Sequence, residues 1–336
     1  MLKFAATAAG IVCALTFAGE AAAQQIVAKY STPTINDVVH DGMKLLQQRV
    51  HARVDTGKFR IDIFPAGQLG AIPRVIEGVQ LGTIEMATVP PEFIVGLDTR
   101  FGIVSAPGIF DSKMHGFHTL YDPEFKKEYW ELGKNKGIVL IGAQCNAEVV
   151  YVSRRQVTKL ADLRGMKIRS YPSAIEREAF KRLGATVAPM PLDEVLPGLQ
   201  QGVIDATKGG ASVFVAFKTY TIAKYITRTK DTLVCPIHFA NKGWWDKLPA
   251  DVRTALEQEY PKADLDNMKH SNEGEIEAFE AWKKNGGEIN ELPPAEAAEL
   301  KKLMSTVGET ALENDPPAKA MYDLMVKAAQ RTRAKL

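Results

Sequence analysis

The sequence predicts an α/β protein made of two domains, and three observations support this prediction. Strand-like segments alternate with helical segments from Gln25 to Gln200, a pattern typical of β-α-β units and largely parallel sheets. About 310 residues follow the first 23, which is more than one compact hydrophobic core usually holds. The last third is charged and has helical spacing, so we expect helices to complete the fold.

The first half of the chain has clear periodicity. Val39, Met43, Leu46 and Val50 recur on one face of a helical segment, whereas apolar and polar residues alternate in the extended segments. The pattern predicts strands over 25–31, 59–64 and 84–89, and helices over 37–54 and 72–81. It continues with strands over 138–141, 149–153 and 166–169, and helices over 176–183 and 192–200.

The C-terminal region is predicted to be helical. Proline lacks a backbone N–H and clashes with the preceding turn, so Pro261 is expected to kink or break the helix. The resulting expectation is two helices over 250–260 and 264–284, then helices from Pro294 to Met304 and from Pro316 to about Ala329.

The N-terminus has the pattern of a secretory signal. Met1–Lys3 carries a positive charge, Phe4–Phe17 is apolar, and Ala21–Ala23 supplies the small residues at which a signal peptidase cuts. The apolar run is shorter than the roughly 20 residues that a membrane-spanning helix needs. Residues 1–23 are therefore predicted to be a cleaved signal peptide that directs the protein to the periplasm.

Composition and motifs argue against several function classes. The formal net charge is +2 and there is no basic arm, so nucleic acid is not an expected partner. Nucleophile-elbow, Walker, dinucleotide-binding and C-x-x-C motifs are absent, which predicts a protein that is not an enzyme and uses no cofactor. His115 and His118 lack a third ligand, so no metal site is expected. Whether Cys145 and Cys235 form a disulfide stays open.

The most distinctive segment runs from Leu160 to Asp205. Within it, Leu163–Gly165 is a turn, Arg169 ends a short strand, and Pro172 stiffens the exit from that strand. An arginine at the carboxyl end of a strand faces the ligand crevice of an α/β sheet, where it can bind a carboxylate through two parallel hydrogen bonds. The alternative is a surface arginine paired with an acidic neighbour.

With these residues the chain resembles the substrate-binding proteins of tripartite ATP-independent periplasmic (TRAP) transporters, the DctP-like family. The resemblance spans nearly the whole mature chain, and its pieces occur in the family's order. They are Phe64–Gly70, Gly82–Glu85, Pro107–Phe110, Asp162–Arg169, Gly184-Ala185, Pro189-Met190, Glu194-Val195, Leu199–Ala206, Asn241–Trp245 and Leu248-Pro249.

The resemblance implies a two-lobed periplasmic binding protein fold with hinge-connected mixed sheets and a helical C-terminal region. Residues 24–147 with about 236–275 would form the first lobe and 148–235 the second, and helices of 276–336 would pack on both. It also implies a monomer that captures a small organic anion and delivers it to TRAP membrane subunits. The alternative is a periplasmic ligand-binding partner of a sensor receptor.

The resemblance makes Arg169 the carboxylate-binding residue. Many family members carry a second arginine where this chain has Asn146–Val149, and an asparagine near the position of Gly209. These two departures predict a ligand with one carboxylate, or a sulfonate. Glu148 would meet an amine or hydroxyl of the ligand or point to solvent. The remaining expected ligand-binding residues are Asn146, Gly209, Gly210, Tyr30, Ser31, Pro90, Pro91 and Cys235.

Overall fold

The computed structural model describes residues 25–335, so the predicted signal peptide, residues 1–23, lies outside the described residues. Eleven strands are present in the described part of the chain. They are β1 (Ile26–Ser31), β2 (Phe59–Phe64), β3 (Met86–Val89), β4 (Ile138–Ala143), β5 (Ala147–Ser153), β6 (Lys167–Ser170), β7 (Thr186–Pro189), β8 (Ala206–Gly210), β9 (Tyr225–Val234), β10 (Ile237–Asn241) and β11 (Glu288–Glu291).

Twelve α-helices occur within residues 25–335. They are α1 (Val38–His51), α2 (Ile72–Leu81), α3 (Lys113–Leu120), α4 (Pro123–Tyr129), α5 (Ala174–Arg182), α6 (Val195–Gln201), α7 (Ala211–Ala216), α8 (Lys242–Lys247), α9 (Ala250–Lys284), α10 (Pro294–Met304), α11 (Val307–Ala311) and α12 (Pro316–Thr332). In this described range, no helix combines the length and apolarity required to cross a membrane.

The strands form two separate mixed sheets, which confirms the predicted α/β class. The first sheet has the order β2-β1-β3-β10-β4, with β1 parallel to β2 and β3 and β10 antiparallel to its neighbours. The second has the order β11-β9-β5-β8-β6-β7, in which β6 is parallel to both of its neighbours. β6 therefore lies between β7 and β8, and the carboxyl ends of these three strands are at the same edge of the sheet.

Two short segments carry the chain between the sheets. Residues 144–146 connect β4 to β5, and Cys235-Pro236 connects β9 to β10. A disulfide joins Cys145 to Cys235 and so settles the question that the sequence left open. The backbone N–H of Asn146 also donates to the carbonyl of Val234 at 2.9 Å. The two segments are thus linked to each other both covalently and by backbone hydrogen bonding.

The long helix α9 packs on both halves of the molecule. Leu256 and Tyr260, in its first half, belong to the hydrophobic cluster under the first sheet, together with Met43 of α1. Ala278 and Trp282, in its second half, belong to the cluster under the second sheet. The helix therefore forms a third connection between the two sheets.

The predicted break at Pro261 is wrong, because α9 is one helix from Ala250 to Lys284. Proline removes the hydrogen bond to the carbonyl four residues earlier, which belongs to Glu257. Glu257 is exposed, so water can satisfy that carbonyl, whereas the neighbouring Tyr260 and Ala263 are buried. Packing on both sides of the proline keeps the helix continuous.

Candidate ligand-binding site

Arg169 is held at the carboxyl end of β6 by strands on both sides. β6 pairs with β7 and β8, and Arg169 lies opposite Ala188 and Thr207. Ser173 then begins α5 by accepting a hydrogen bond from the backbone N–H of Glu176 at 3.1 Å. The strand, the turn and the capped helix together fix the direction in which the arginine leaves the sheet.

The guanidinium of Arg169 is buried and makes only neutral contacts. Its side chain is 3% exposed, and Nε donates to the carbonyl of Met190 at 3.1 Å. Its central carbon lies 5.9 Å from the ring centre of Phe93 and 5.4 Å from that of Tyr171. Among residues 25–335, no carboxylate oxygen lies within 4 Å of a guanidinium nitrogen of Arg169, the distance that an ion pair requires. The predicted alternative of a surface arginine paired with an acidic neighbour is therefore wrong.

Arg169 keeps its positive charge despite this burial. Burial lowers the pKa of Arg169, and the nearby Tyr171 and Glu176 act in the opposite direction. Arginine stays protonated in proteins because its ordinary pKa lies above 12. A buried cation without a counter-charge is energetically unfavourable, and an anion bound beside it would supply the missing partner.

Arg169 lines a cavity of about 60 Å³ between the two sheets. Side chains from the first sheet's half of the molecule form one wall, including those of Thr32, Val89 and Phe93. Tyr171 and Phe214 belong to the opposite wall. The cavity therefore has the usual form of a small-molecule site, a largely apolar cleft with a few placed polar groups.

Four of the predicted site residues line this cavity: Arg169, Gly209, Gly210 and Pro90. Steric crowding explains why residue 209 is a glycine. A Cβ atom there would lie 3.2 Å from the Phe214 ring and 3.6 Å from the Tyr171 hydroxyl. The absent side chain thus lets the two aromatic rings approach the strand that borders the cavity.

Six predicted site residues lie outside the cavity lining: Tyr30, Ser31, Pro91, Asn146, Glu148 and Cys235. Tyr30, Ser31, Pro91 and Cys235 lie within two residues of a lining residue in sequence, whereas Asn146 and Glu148 do not. The Tyr30 hydroxyl is hydrogen-bonded to Thr88 (2.7 Å) and His238 (2.8 Å) in the core, and Cys235 forms the disulfide with Cys145. These placements do not support direct ligand contact by the six residues.

Glu148 has a partner of its own. Its two carboxylate oxygens accept hydrogen bonds from Arg228 Nη2 at 2.6 Å and Nε at 3.2 Å. Burial raises the pKa of Glu148, and the Arg228 bonds oppose that effect. The fork-to-fork geometry explains why this carboxylate is neither free for a ligand nor simply solvated.

A second buried charge pair, formed by Lys208 and Glu176, lies on the face of the second sheet opposite to Arg169. Lys208 Nζ donates to Glu176 Oε1 at 2.8 Å, and both side chains are at most 4% exposed. Ser170 also donates to Glu176. Sequence reasoning missed this pair, although a lysine in the strand after the Asp205-Ala206 step was a visible signal.

Glu92 is a buried acid that the sequence also did not reveal. It lies in a 3-10 helix, Pro91–Ile94, directly after the cavity-lining Pro90. Burial raises the pKa of Glu92 to about 8, with the nearby Glu176 adding to the shift and Lys208 reducing it. Its Oε2 has no hydrogen-bond partner among the described residues. Glu92 is therefore mostly protonated at neutral pH.

The ring nitrogens of His238 are both engaged by protein groups. His238 Nε2 lies 3.0 Å from Asp264 Oδ1, and its Nδ1 lies 2.6 Å from the Thr88 hydroxyl. In the described part of the chain, no group of three His, Cys, Asp or Glu side chains is arranged to hold a metal ion. The cavity thus combines one uncompensated cation with an apolar lining.

Comparison with known protein families identifies the family of this chain. The family of bacterial extracellular solute-binding proteins, family 7 (DctP), matches residues 30–315. The chain belongs to this family. The match includes Arg169 and all of both sheets except the first four residues of β1, and it confirms the resemblance that the sequence motifs indicated.

Relatives of the chain include proteins named as binding two kinds of organic acid. The chain is 28% identical over 246 residues to the 2,3-diketo-L-gulonate-binding periplasmic protein YiaO of Escherichia coli, covering 73% of each chain. It is 26% identical over 296 residues to the C4-dicarboxylate-binding periplasmic protein DctP of Rhodobacter capsulatus, covering 87% of this chain and 88% of the relative.

Solved structures of TRAP periplasmic solute-binding proteins share the fold of this family 7 member. One from Desulfovibrio salexigens, with bound orotic acid, has a TM-score of 0.85 at 22% identity. The alignment covers 91% of this chain and 99% of that one. The sugar acid binding protein DctPAm from Advenella mimigardefordensis, in complex with galactonate, has a TM-score of 0.83 at 22% identity, with 91% and 99% covered.

Proposed function

We propose that this protein is the extracytoplasmic solute-binding component of a TRAP transporter and captures an organic anion with one carboxylate or sulfonate. The anion would occupy the cavity between the sheets, with its charged group at Arg169. After capture, the protein would deliver the ligand to the membrane subunits. Export through residues 1–23 would place it in the periplasm, and the purified mature protein is expected to begin at Gln24.

The observation that carries this proposal is the state of Arg169. It is a buried, charged guanidinium that borders a cavity and has no counter-ion within the described residues. A carboxylate or sulfonate supplies that counter-ion and accepts two parallel N–H bonds. The relatives named above, which bind organic acids, support the same class of ligand.

A single anionic group is favoured by what surrounds Arg169. The segment Asn146–Val149 provides no second arginine, and Glu148 within it is paired with Arg228. Arg228 is therefore engaged as well. A second carboxylate on the ligand would find no unpaired cation among the described residues that line the cavity.

The test is calorimetric titration of organic acids into protein freed of bound ligand, comparing wild type with Arg169→Gln. We expect Arg169→Gln to weaken binding by at least about 100-fold, since a charge-assisted bidentate contact is lost. Arg164→Gln, a change at an exposed arginine in the same motif, is the matched control and should bind normally. Wild-type affinity in a folded Arg169→Gln protein would refute the proposed role of this residue.

A further inference from the structure

We propose that the part of the ligand beyond its anionic group is apolar, either branched aliphatic or aromatic. This inference rests on the proposed function and narrows its substrate class. It separates the protein from binders of polyhydroxylated sugar acids and of dicarboxylates.

The first support is the chemistry of the walls. Apart from Arg169, most side chains that line the cavity have no polar atom, among them Val39, Ile72, Leu192, Val213 and Phe214. They come from both halves of the molecule, so a ligand between them is enclosed on two sides. Burial of apolar ligand surface against such walls is favourable, whereas burial of unpaired hydroxyls is not.

The second support is that the three threonine hydroxyls at the walls, those of Thr32, Thr34 and Thr88, are already hydrogen-bonded to protein groups. Thr34 donates to Asp37 at 3.0 Å, and the Thr32 and Thr34 hydroxyls lie 3.2 Å apart. Thr88 lies 2.6 Å from His238 Nδ1. Each hydroxyl of a sugar acid needs its own donor or acceptor, and these side chains have little capacity left to provide one.

The third support is that the other cation near the cavity is turned away and neutralised. Thr207 lies opposite Arg169 in the sheet, so the next residue, Lys208, directs its side chain to the opposite face. There its ammonium group pairs with Glu176 at 2.8 Å. A second carboxylate would therefore be buried without a counter-charge, which disfavours dicarboxylates.

Two aromatic residues of the cavity lining, Phe93 and Tyr171, lie beside Arg169. Phe93 and Tyr171 come from opposite walls and meet edge to face, with ring centres 5.7 Å apart. Both rings lie within 6 Å of the guanidinium carbon. The carbon atoms next to a carboxylate held by Arg169 would therefore lie close to two aromatic rings, of which Tyr171 also carries a hydroxyl.

The experiment compares four probes by calorimetry, using protein expressed from the full chain and stripped of ligand by unfolding and refolding with its disulfide intact. The probes are 4-methylpentanoate and phenylacetate, which have apolar bodies, and succinate and gluconate, which do not. We expect at least one apolar probe to bind about tenfold or more tightly than succinate and gluconate, because its body gains burial without unpaired polar groups.

A matched pair of variants localises the effect. Val213→Thr adds a hydroxyl to the cavity wall at nearly constant volume and should weaken the apolar probe about threefold to tenfold. Val203→Thr makes the same change at an exposed position outside the lining and should bind as wild type does. Equal affinities of the two folded variants would contradict the proposed apolar contact.

The outcomes distinguish this inference from the proposed function. Tighter binding of succinate or gluconate, lost in Arg169→Gln, would overturn the apolar-body inference and leave anion capture standing. Failure of all four probes and of a wider organic-acid panel to bind the stripped protein would overturn both.

Discussion

Glu176 and Lys208 are two charged side chains whose burial makes each dependent on the other. Both lie below the surface on the face of the second sheet opposite Arg169, and Ser170 also donates to Glu176. Removing one partner of a buried pair leaves an uncompensated charge, whereas replacing both by apolar groups is often tolerated. The pair is therefore a strong local constraint on the strand that supports the anion site.

For this pair we expect a marked difference between single and double substitution. Lys208→Met alone should lower the free energy of unfolding by about 3–5 kcal/mol, because the Glu176 carboxylate loses its buried counter-ion. Lys208→Met combined with Glu176→Leu should recover most of that loss. Urea unfolding followed by circular dichroism measures both values, and additive losses in the double variant would contradict the argument.

Glu92 should make stability depend on pH in a defined direction. Since burial raises the pKa of Glu92 to about 8, the folded protein holds a proton that the unfolded chain releases above its ordinary pKa. Stability contributed by this group is complete below about pH 4.5 and falls as pH rises toward 8. Glu92→Gln removes the proton linkage while keeping the side-chain shape.

We therefore expect Glu92→Gln to be more stable than wild type at about pH 8.5, by an amount on the order of 5 kcal/mol, with the difference shrinking toward pH 5. Thermal unfolding of both proteins across this range is the measurement. A difference that stays constant with pH would show that Glu92 does not titrate as its burial implies.

At the scale of elements, α9 carries an interior proline without a break, and this has a stability consequence. Pro261→Ala restores an N–H that can donate to the carbonyl of Glu257 within the helix. We expect the free energy of unfolding of this variant to be about 1–3 kcal/mol higher than that of wild type. Chemical denaturation measures the change. A destabilised variant would instead show that the proline ring itself contributes essential packing.

The elements also show what the sequence could and could not predict. Long amphipathic segments such as α1 and α2, and alternating strands such as β2, were predicted within a few residues of their bounds. Strand β8 was missed because its sequence Ala206–Gly210 ends in two glycines, which weaken any strand signal. Strand β11, Glu288–Glu291, is short and polar, and it was missed for that reason.

The residues of the candidate site also fall into those that the sequence could predict and those that it could not. Arg169 was predictable because its motif and its place at a strand end both point to anion binding. The side-chain directions of Tyr30 and Glu148 were not, since each is decided by a partner distant in sequence: His238 for one and Arg228 for the other. Local pattern carries no information about such partners.

At the scale of the whole molecule, the disulfide closes a chain segment that contains most of the second sheet. Cys145 and Cys235 are 90 residues apart, and strands β5 to β9 lie between them. A cross-link over so long a loop removes much of the freedom of the unfolded chain. We expect Cys145→Ser with Cys235→Ser to lower the free energy of unfolding by about 2–5 kcal/mol.

Denaturation of this double variant and of the oxidised wild type checks that value. Wild type treated with a reductant should match the variant, which separates loss of the bond from an effect of the serines. Equal stability of oxidised and reduced wild type would contradict the prediction.

The disulfide also limits the kinds of movement open to the molecule. The two crossing segments cannot slide past each other, because they are bonded at Cys145 and Cys235, and α9 spans both sheets as a third tether. Three such attachments leave little scope for translation or for free twisting of one sheet against the other. We therefore expect any movement of one sheet relative to the other to be a rotation about an axis through the paired segments. Opening and closing of the cavity would then follow essentially one coordinate, so that every excursion returns Phe93 and Tyr171 to the same alignment beside Arg169.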